Sequence, residues 1–310
     1  MSASEPEAGA SPPRVAVTGS TGLIGTALVP ALPADGYRVV RLVRSRPEPG
    51  GGEVAWDPAA GTIDTAGLEG VDAVIHLAGE NVGRRWTAER RRRIRDSRAR
   101  GTRLLAEALA GLARPPRVLV SASAIGYYGD RGDELLDEGT ASGAGFLAEV
   151  VREWEASADP ARERGIRVVH PRFGVVLTPQ GGALQRILPP FRLGVGGRVG
   201  SGRQWMSWLT LDDVVEAVRF LLRTEGLSGP VNVAAPHPVT NEEFTRTLGR
   251  VLGRPTLFPV PAAALRLALG QMAEETVLAS QRVVPRKLLD AGFAFRHPEL
   301  EGALRAVLGR

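Results

Sequence analysis

Residues 118–130 read VLVSASAIGYYGD, a β-branched run that delivers Ser121 and Ser123 and then a glycine-flanked tyrosine pair, Tyr127 and Tyr128. A hydroxyl and a phenol this close in sequence can polarise a carbonyl and move a proton. A phenol is a weak acid, with a free pKa of about 10, and needs a nearby cation to act near neutrality. Ser123, Tyr127 and Tyr128 are therefore the candidate catalytic residues. Glu80 is in support, and Arg84, Arg85 or Arg98 is the expected cation.

A second constellation stands near the start. VAVTGSTGLIG places Gly19, Gly22 and Gly25 directly after an apolar strand and at the start of a helical stretch. The first glycine permits a tight turn, the second lets a pyrophosphate approach the backbone, and the third lets the helix lie close on the sheet. Amide groups of Ser20, Thr21, Leu23 and Ile24 then face the phosphates, with the helix dipole behind them. An NAD site normally ends its next strand in an acidic side chain. Here VVRLVRSR ends in Arg44, Ser45 and Arg46, and Asp35 lies too early, in the turn before the strand. A guanidinium at Arg44 pairs with a 2′-phosphate, so NADP(H) is the expected cofactor.

Leu77, Ala78 and Gly79 close the fourth strand, at the edge where open parallel sheets bind ligands, and Val175 is the equivalent lining position further along. Arg98 sits in the densest basic run, ERRRRIRDSRARGT, and is expected to reach a phosphate or acidic substrate. Glu80, Asn81, Gln204 and Trp205 are the candidate substrate contacts. Gln204 would read hydroxyls, and Trp205 or Trp208 would stack on a ring. Asn232 reads as structural and Asn241 as a helix cap. His76, His170, His237 and His297 have no metal-ligand spacing, and no metal site is expected.

These residues need strands alternating with helices. Strands are expected at Val15–Thr18, Arg38–Val43, Val71–Leu77, Arg117–Ser121, Val168–Val169, Val175–Leu177 and Val231–Ala234. Helices are expected at Leu23–Leu32, Ala88–Leu112, Phe146–Glu163 and Leu211–Leu222. That alternation predicts an α/β fold, a Rossmann-type doubly wound parallel sheet with a smaller, mostly helical C-terminal substrate subdomain. Pro30 and Pro33 should kink or shorten the first helix. The expected division is a disordered tail over 1–13, an NADP-binding domain over 14–177 and 207–235, and a substrate subdomain over 178–206 and 236–310. The stretch after Thr178, rich in Gly and Pro, reads as a binding loop region.

The chain has 310 residues, 43% of them hydrophobic, enough for one large domain with an appendage. It has no Cys, no apolar run that could cross a bilayer and no signal-peptide pattern, so a cytoplasmic location is expected. The formal charge of +5 is carried almost wholly by Arg, since Lys287 is the only lysine, and reads as compositional bias. The expected partner is a small-molecule substrate, with no nucleic acid and no membrane, in a monomer or homodimer.

TGSTGLIG, IHLAG and SASAIGYYG resemble the glycine, fourth-strand and serine-strand motifs of the extended short-chain dehydrogenase/reductases. More narrowly, AGEN at 78–81, WE at 154–155, PFRLGVGGRVGSGRQ at 190–204 and LASQRVVPRKLLDAGFAF at 278–295 resemble an atypical subgroup, the "epimerase family protein" type with a C-terminal domain of unknown function. The resemblance spans about residues 14–308. It implies NADP(H) binding and an oxidoreductase or epimerase-like activity, on a carbonyl, a hydroxyl or a sugar-nucleotide-like compound. In the wider superfamily the serine works with Tyr-x-x-x-Lys, positions that share a helix face. That motif cannot exist here. Its register, in FLAEVVREWE, falls on Phe146 or Leu147 and on Val150 or Val151. Two readings stay open: chemistry with other groups, or NADP(H) binding without turnover, as a sensor or regulator.

Overall fold

The structure, a computed structural model, describes residues 11–48, 50 and 52–310. Seven strands make the central sheet: β1 (Arg14–Thr18), β2 (Arg38–Val43), β3 (Glu53–Asp57), β4 (Ala73–His76), β5 (Val118–Ser121), β6 (Arg167–Phe173) and β7 (Gly229–Val233). They lie in the order β7-β6-β5-β4-β1-β2-β3, all parallel. Two-residue segments extend the sheet, Thr62–Ile63 against β3 and Ser123–Ala124 against β6. The order reverses between β1 and β4, which leaves a crevice at their carboxyl ends.

The main helices are α1 (Leu23–Leu28), α2 (Ala88–Ala110), α3 (Phe146–Ala156), α4 (Gly182–Arg192), α5 (Leu211–Arg223), α6 (Asn241–Leu252), α7 (Ala262–Leu269) and α8 (Leu300–Leu308). Strand alternation drives both faces of the sheet into cores. Val15, Val17, Ile75 and Val120 pack against α1 and α5, whereas Ala16, Val74, Leu119 and Val168 pack against Leu105 and Leu109 of α2. The fold is thus the expected doubly wound α/β arrangement. A third core joins Leu177, Trp208, Phe244, Leu248 and Leu304 in the C-terminal part.

Four expectations change. Helix α1 stops at Leu28 and continues as a 3₁₀ segment, Val29–Asp35, because Pro30 and Pro33 cannot donate to α-helical bonds. The stretch expected as one helix over Phe146–Glu163 is two. Helix α3 ends at Ala156, and a short helix begins at Asp159 with Pro160 in its first turn. The expected loop after Thr178 contains α4, which carries Pro189 and Pro190 inside it. There Leu184, Leu188 and Phe191 fall on one face and bury in the third core, and that burial outweighs the prolines. Val175–Leu177 pairs with Trp208–Thr210 outside the main sheet. Of the expected tail, residues 1–10 lie outside the described residues. Pro13 is already tied down, its carbonyl accepting the Arg38 amide at 2.8 Å.

Candidate active site

The glycine loop has the geometry a pyrophosphate requires. Gly19 takes φ +67° and lies so close to β4 that a Cβ would stand 2.8 Å from the Leu77 carbonyl carbon. At Gly25 a Cβ would stand 2.2 Å from the Gly19 oxygen, so only glycine lets α1 pack on the turn. Thr21 and Gly22 are exposed, and Gly22 caps α1 without any side-chain hydrogen bond, which leaves the first amides of the helix open. Ser20 is buried, while Leu23 and Ile24 are half-buried. Thr18 fastens this loop to the next one. Its hydroxyl accepts from the Leu77 and Ala78 amides at 3.1 and 3.3 Å and bonds His76 Nδ1 at 2.7 Å.

At the end of β2, Arg44, Ser45 and Arg46 are all exposed, and neither arginine forms an ion pair among the described residues. Asp35 is unavailable to a ribose. Arg219 and Arg223 of α5 grip its carboxylate at 2.6–2.7 Å, and the Arg219 hydrogen bonds hold its pKa below the usual range. The residues that would hold a dinucleotide therefore fit one with a phosphate on its ribose.

The serine strand behaves differently from expectation. Ser123 is 2% exposed, and its hydroxyl donates to Glu155 of α3 at 2.6 Å. Glu155 is clasped by Arg172 of β6 through two bonds of 2.8 Å. Burial works against the Glu155 charge, but the hydrogen bonds and charge of Arg172 outweigh it and keep the carboxyl below its ordinary range. Arg172 also donates to the Tyr128 hydroxyl at 3.1 Å, and its guanidinium lies 3.4 Å from the centre of the Tyr127 ring. Arg172 is thus the cation beside the tyrosines, in place of the expected Arg84, Arg85 or Arg98. Arg85 instead donates to the Leu267 and Ala268 carbonyls.

The two tyrosines part company. Tyr128 is fully buried, its hydroxyl donated between Asn232 Oδ1 at 2.8 Å and the Asp137 carbonyl at 2.9 Å, and burial pushes its pKa up to about 12. It belongs to the scaffold and is not placed to exchange protons with a ligand. Tyr127 is half-buried. Its side-chain-independent bonds run through its carbonyl, to the Ser142 hydroxyl and the Gly143 amide, and its own hydroxyl is unpartnered among the described residues.

Several other expectations are corrected. Ser121 is fully buried beside His76 in the sheet, so its hydroxyl does not reach the crevice. Arg98 lies beneath the AGEN turn, donating to the Glu80 carbonyl at 3.0 Å and facing the Trp154 ring. A Cβ on Gly79 would stand 3.3 Å from its guanidinium, and burial brings its pKa down to about 10. Glu80 pairs with Arg90 at 3.2 Å, and Asn81 folds onto the Gly83 amide at 2.7 Å. Gln204 is buried and donates to the Val199 and Val277 carbonyls, so it braces the loop instead of reading a ligand. Trp205 bonds Asp133 at 2.8 Å with Arg282 over one ring face, and Trp208 is core. Val175 is half-buried against the third core. Thr240, not Asn241, caps α6, while Asn241 accepts the Val199 amide.

Residue reading missed Glu155, Arg172 and Glu275. The signal for Arg172 was present: a guanidinium inside RVVHPRFGVV must find a buried anion. Glu275, from the C-terminal part, accepts the Phe146 and Leu147 amides at 3.0 and 2.7 Å and so caps α3. Among the described residues, no acidic or histidine cluster suits a metal ion.

The profile of the NAD dependent epimerase/dehydratase family matches residues 15–234, and that of a domain of unknown function, DUF1731, matches residues 260–307. An epimerase family protein of Mycobacterium bovis is 46% identical over 293 residues, covering 94% of this chain and 96% of its own. The crystal structure of human epimerase family protein SDR39U1 with NADPH is similar at a TM-score of 0.85 and 35% identity, over 96% of this chain and 99% of that one. UDP-N-acetylglucosamine 4-epimerase from Bacillus cereus, at 19% identity and a TM-score of 0.73, shares the fold. With its glycine turn, sheet order and both profile matches, the chain belongs to the NAD dependent epimerase/dehydratase family, as an atypical extended short-chain dehydrogenase/reductase with an NAD(P)-binding Rossmann domain.

Proposed function

We propose that this protein binds NADP(H) and transfers hydride between that cofactor and a carbonyl or hydroxyl carbon of a small molecule, with Tyr127 handling the proton. The preference for the phosphorylated cofactor rests on Arg44 and Arg46, exposed just past β2 and without an ion pair among the described residues, and on Asp35 being tied to α5. The human relative crystallised with NADPH supports it. When bound, the nicotinamide supplies or takes the hydride. The observation that carries the chemistry is Tyr127 itself, half-buried with the Arg172 guanidinium 3.4 Å from its ring centre and its hydroxyl unpartnered among the described residues. Glu155 fixes that guanidinium, and the Glu275 cap fixes the helix that carries Glu155.

NADPH oxidation across sugar nucleotides, ketones and aldehydes tests the reading. Turnover is expected with at least one carbonyl compound, and Tyr127→Phe should lower it by about 10²-fold or more while leaving NADPH affinity unchanged. A second reading, an NADP(H) sensor without turnover, is favoured by the Ser123 hydroxyl, which is already given to Glu155. Tight NADPH binding with no oxidation of any compound would select that reading.

A further inference from the structure

Two adjoining segments of the C-terminal part carry cations without a single anion. Residues 182–204 contain Arg186, Arg192, Arg198 and Arg203, and residues 244–273 contain Arg246, Arg250, Arg254 and Arg266, with no Asp or Glu in either stretch. The segments run side by side. Val199 bridges Val260, the Gly200 amide donates to the Val260 carbonyl, and the Val260 amide donates to the Arg198 carbonyl. A Cβ on Gly194 would touch Pro255, and one on Gly197 would collide with the Phe258 carbonyl.

Where the segments turn, they leave apolar side chains in solvent. Leu193 is 78% exposed, Val195 52%, Leu257 76% and Phe258 58%, four of the seven large apolar residues exposed among the described residues. Arg192 and Arg254 flank them, exposed and free of any ion pair among the described residues. Several of the other arginines are engaged, Arg246 with Glu242, Arg250 with Glu301 and Arg266 with Glu274.

We infer that the loop tips 192–195 and 254–258 form a docking surface for an anionic lipid bilayer. Apolar tips rimmed by guanidinium groups suit the boundary between headgroups and acyl chains, with the tips buried and the cations on phosphates. A nucleic acid would use the arginines but not the aliphatic tips, and a second copy of this chain would bring like charge against like charge. Among the described residues no helix is long and apolar enough to cross a membrane, so the contact is peripheral. This surface departs from the expectation of no membrane partner, which rested on the lack of an apolar run that could cross a bilayer.

Vesicle flotation of the full chain tests this, with phosphatidylcholine alone and with phosphatidylcholine mixed with phosphatidylglycerol. The protein should float with the anionic vesicles only, and high salt should release it. Replacing Leu257→Asp with Phe258→Asp should lower the bound fraction about tenfold, and Arg192→Glu with Arg254→Glu should do the same. Both pairs are at the surface, so NADPH affinity should be unchanged and reports intact folding. Absence of flotation, equal flotation with both vesicle types, or complete displacement by free glycerol phosphate would each overturn the inference. So would a dimer in sedimentation that the Asp pair converts to monomer.

Discussion

At the residue scale the site is dominated by one buried ion pair, not by a catalytic tyrosine and lysine. Arg172 and Glu155 are both inside the protein, and each is the other's main source of compensation. Removing one leaves an uncompensated buried charge, whereas replacing both by apolar groups does not. Glu155→Ala should therefore cost about 3–5 kcal/mol in urea unfolding, and Glu155→Leu with Arg172→Met should recover most of it. A double-mutant cycle on these variants measures the coupling directly. At the cofactor, Arg44→Glu should weaken NADPH binding at least tenfold, by about 1.4 kcal/mol, with little change for NADH, as read by calorimetry.

At the scale of elements, the parts legible in the sequence were those fixed by local rules. The glycine spacing, the strands β1, β2, β4 and β5, and the effect of Pro30 and Pro33 on the first helix follow from backbone sterics and hydrophobic runs. What escaped was set by distant partners. Helix α4 holds two prolines because Leu184, Leu188 and Phe191 find a core built from residues far along the chain. Ser123 turns toward α3 because Arg172, nearly fifty residues later, puts Glu155 within reach. Gly25→Ala tests the local half of this account. With a Cβ at 2.2 Å from the Gly19 oxygen, the variant must displace α1 and should lose measurable dinucleotide binding, even where circular dichroism shows a folded chain.

At the scale of the whole molecule, two histidines tie stability to pH. His76 and His170 are buried in neighbouring parts of the sheet, and burial lowers each pKa from 6.5 to about 4. Between those values the unfolded chain binds more protons than the folded one, so stability is complete above 6.5 and declines as the pH falls toward 4. The slope should be about 1.4 kcal/mol per pH unit for each histidine. Urea midpoints measured at neutral pH and near pH 5 should show that loss, and His170→Asn should reduce it by about half.

The capping of α3 by Glu275 has one more outcome, for anyone who would cut the polypeptide at the boundary between the two profile matches. The same C-terminal stretch sends Gln281 to the Ile125 and Gly129 carbonyls, on either side of Tyr127. Amputating residues 260–310 would strip the first turn of a core helix of the carboxylate that accepts its Phe146 and Leu147 amides, and would take away the Gln281 bonds to the tyrosine loop. The cofactor-binding portion thus takes part of its bracing from its neighbour, so a chain cut there should unfold at a lower urea concentration than the full one.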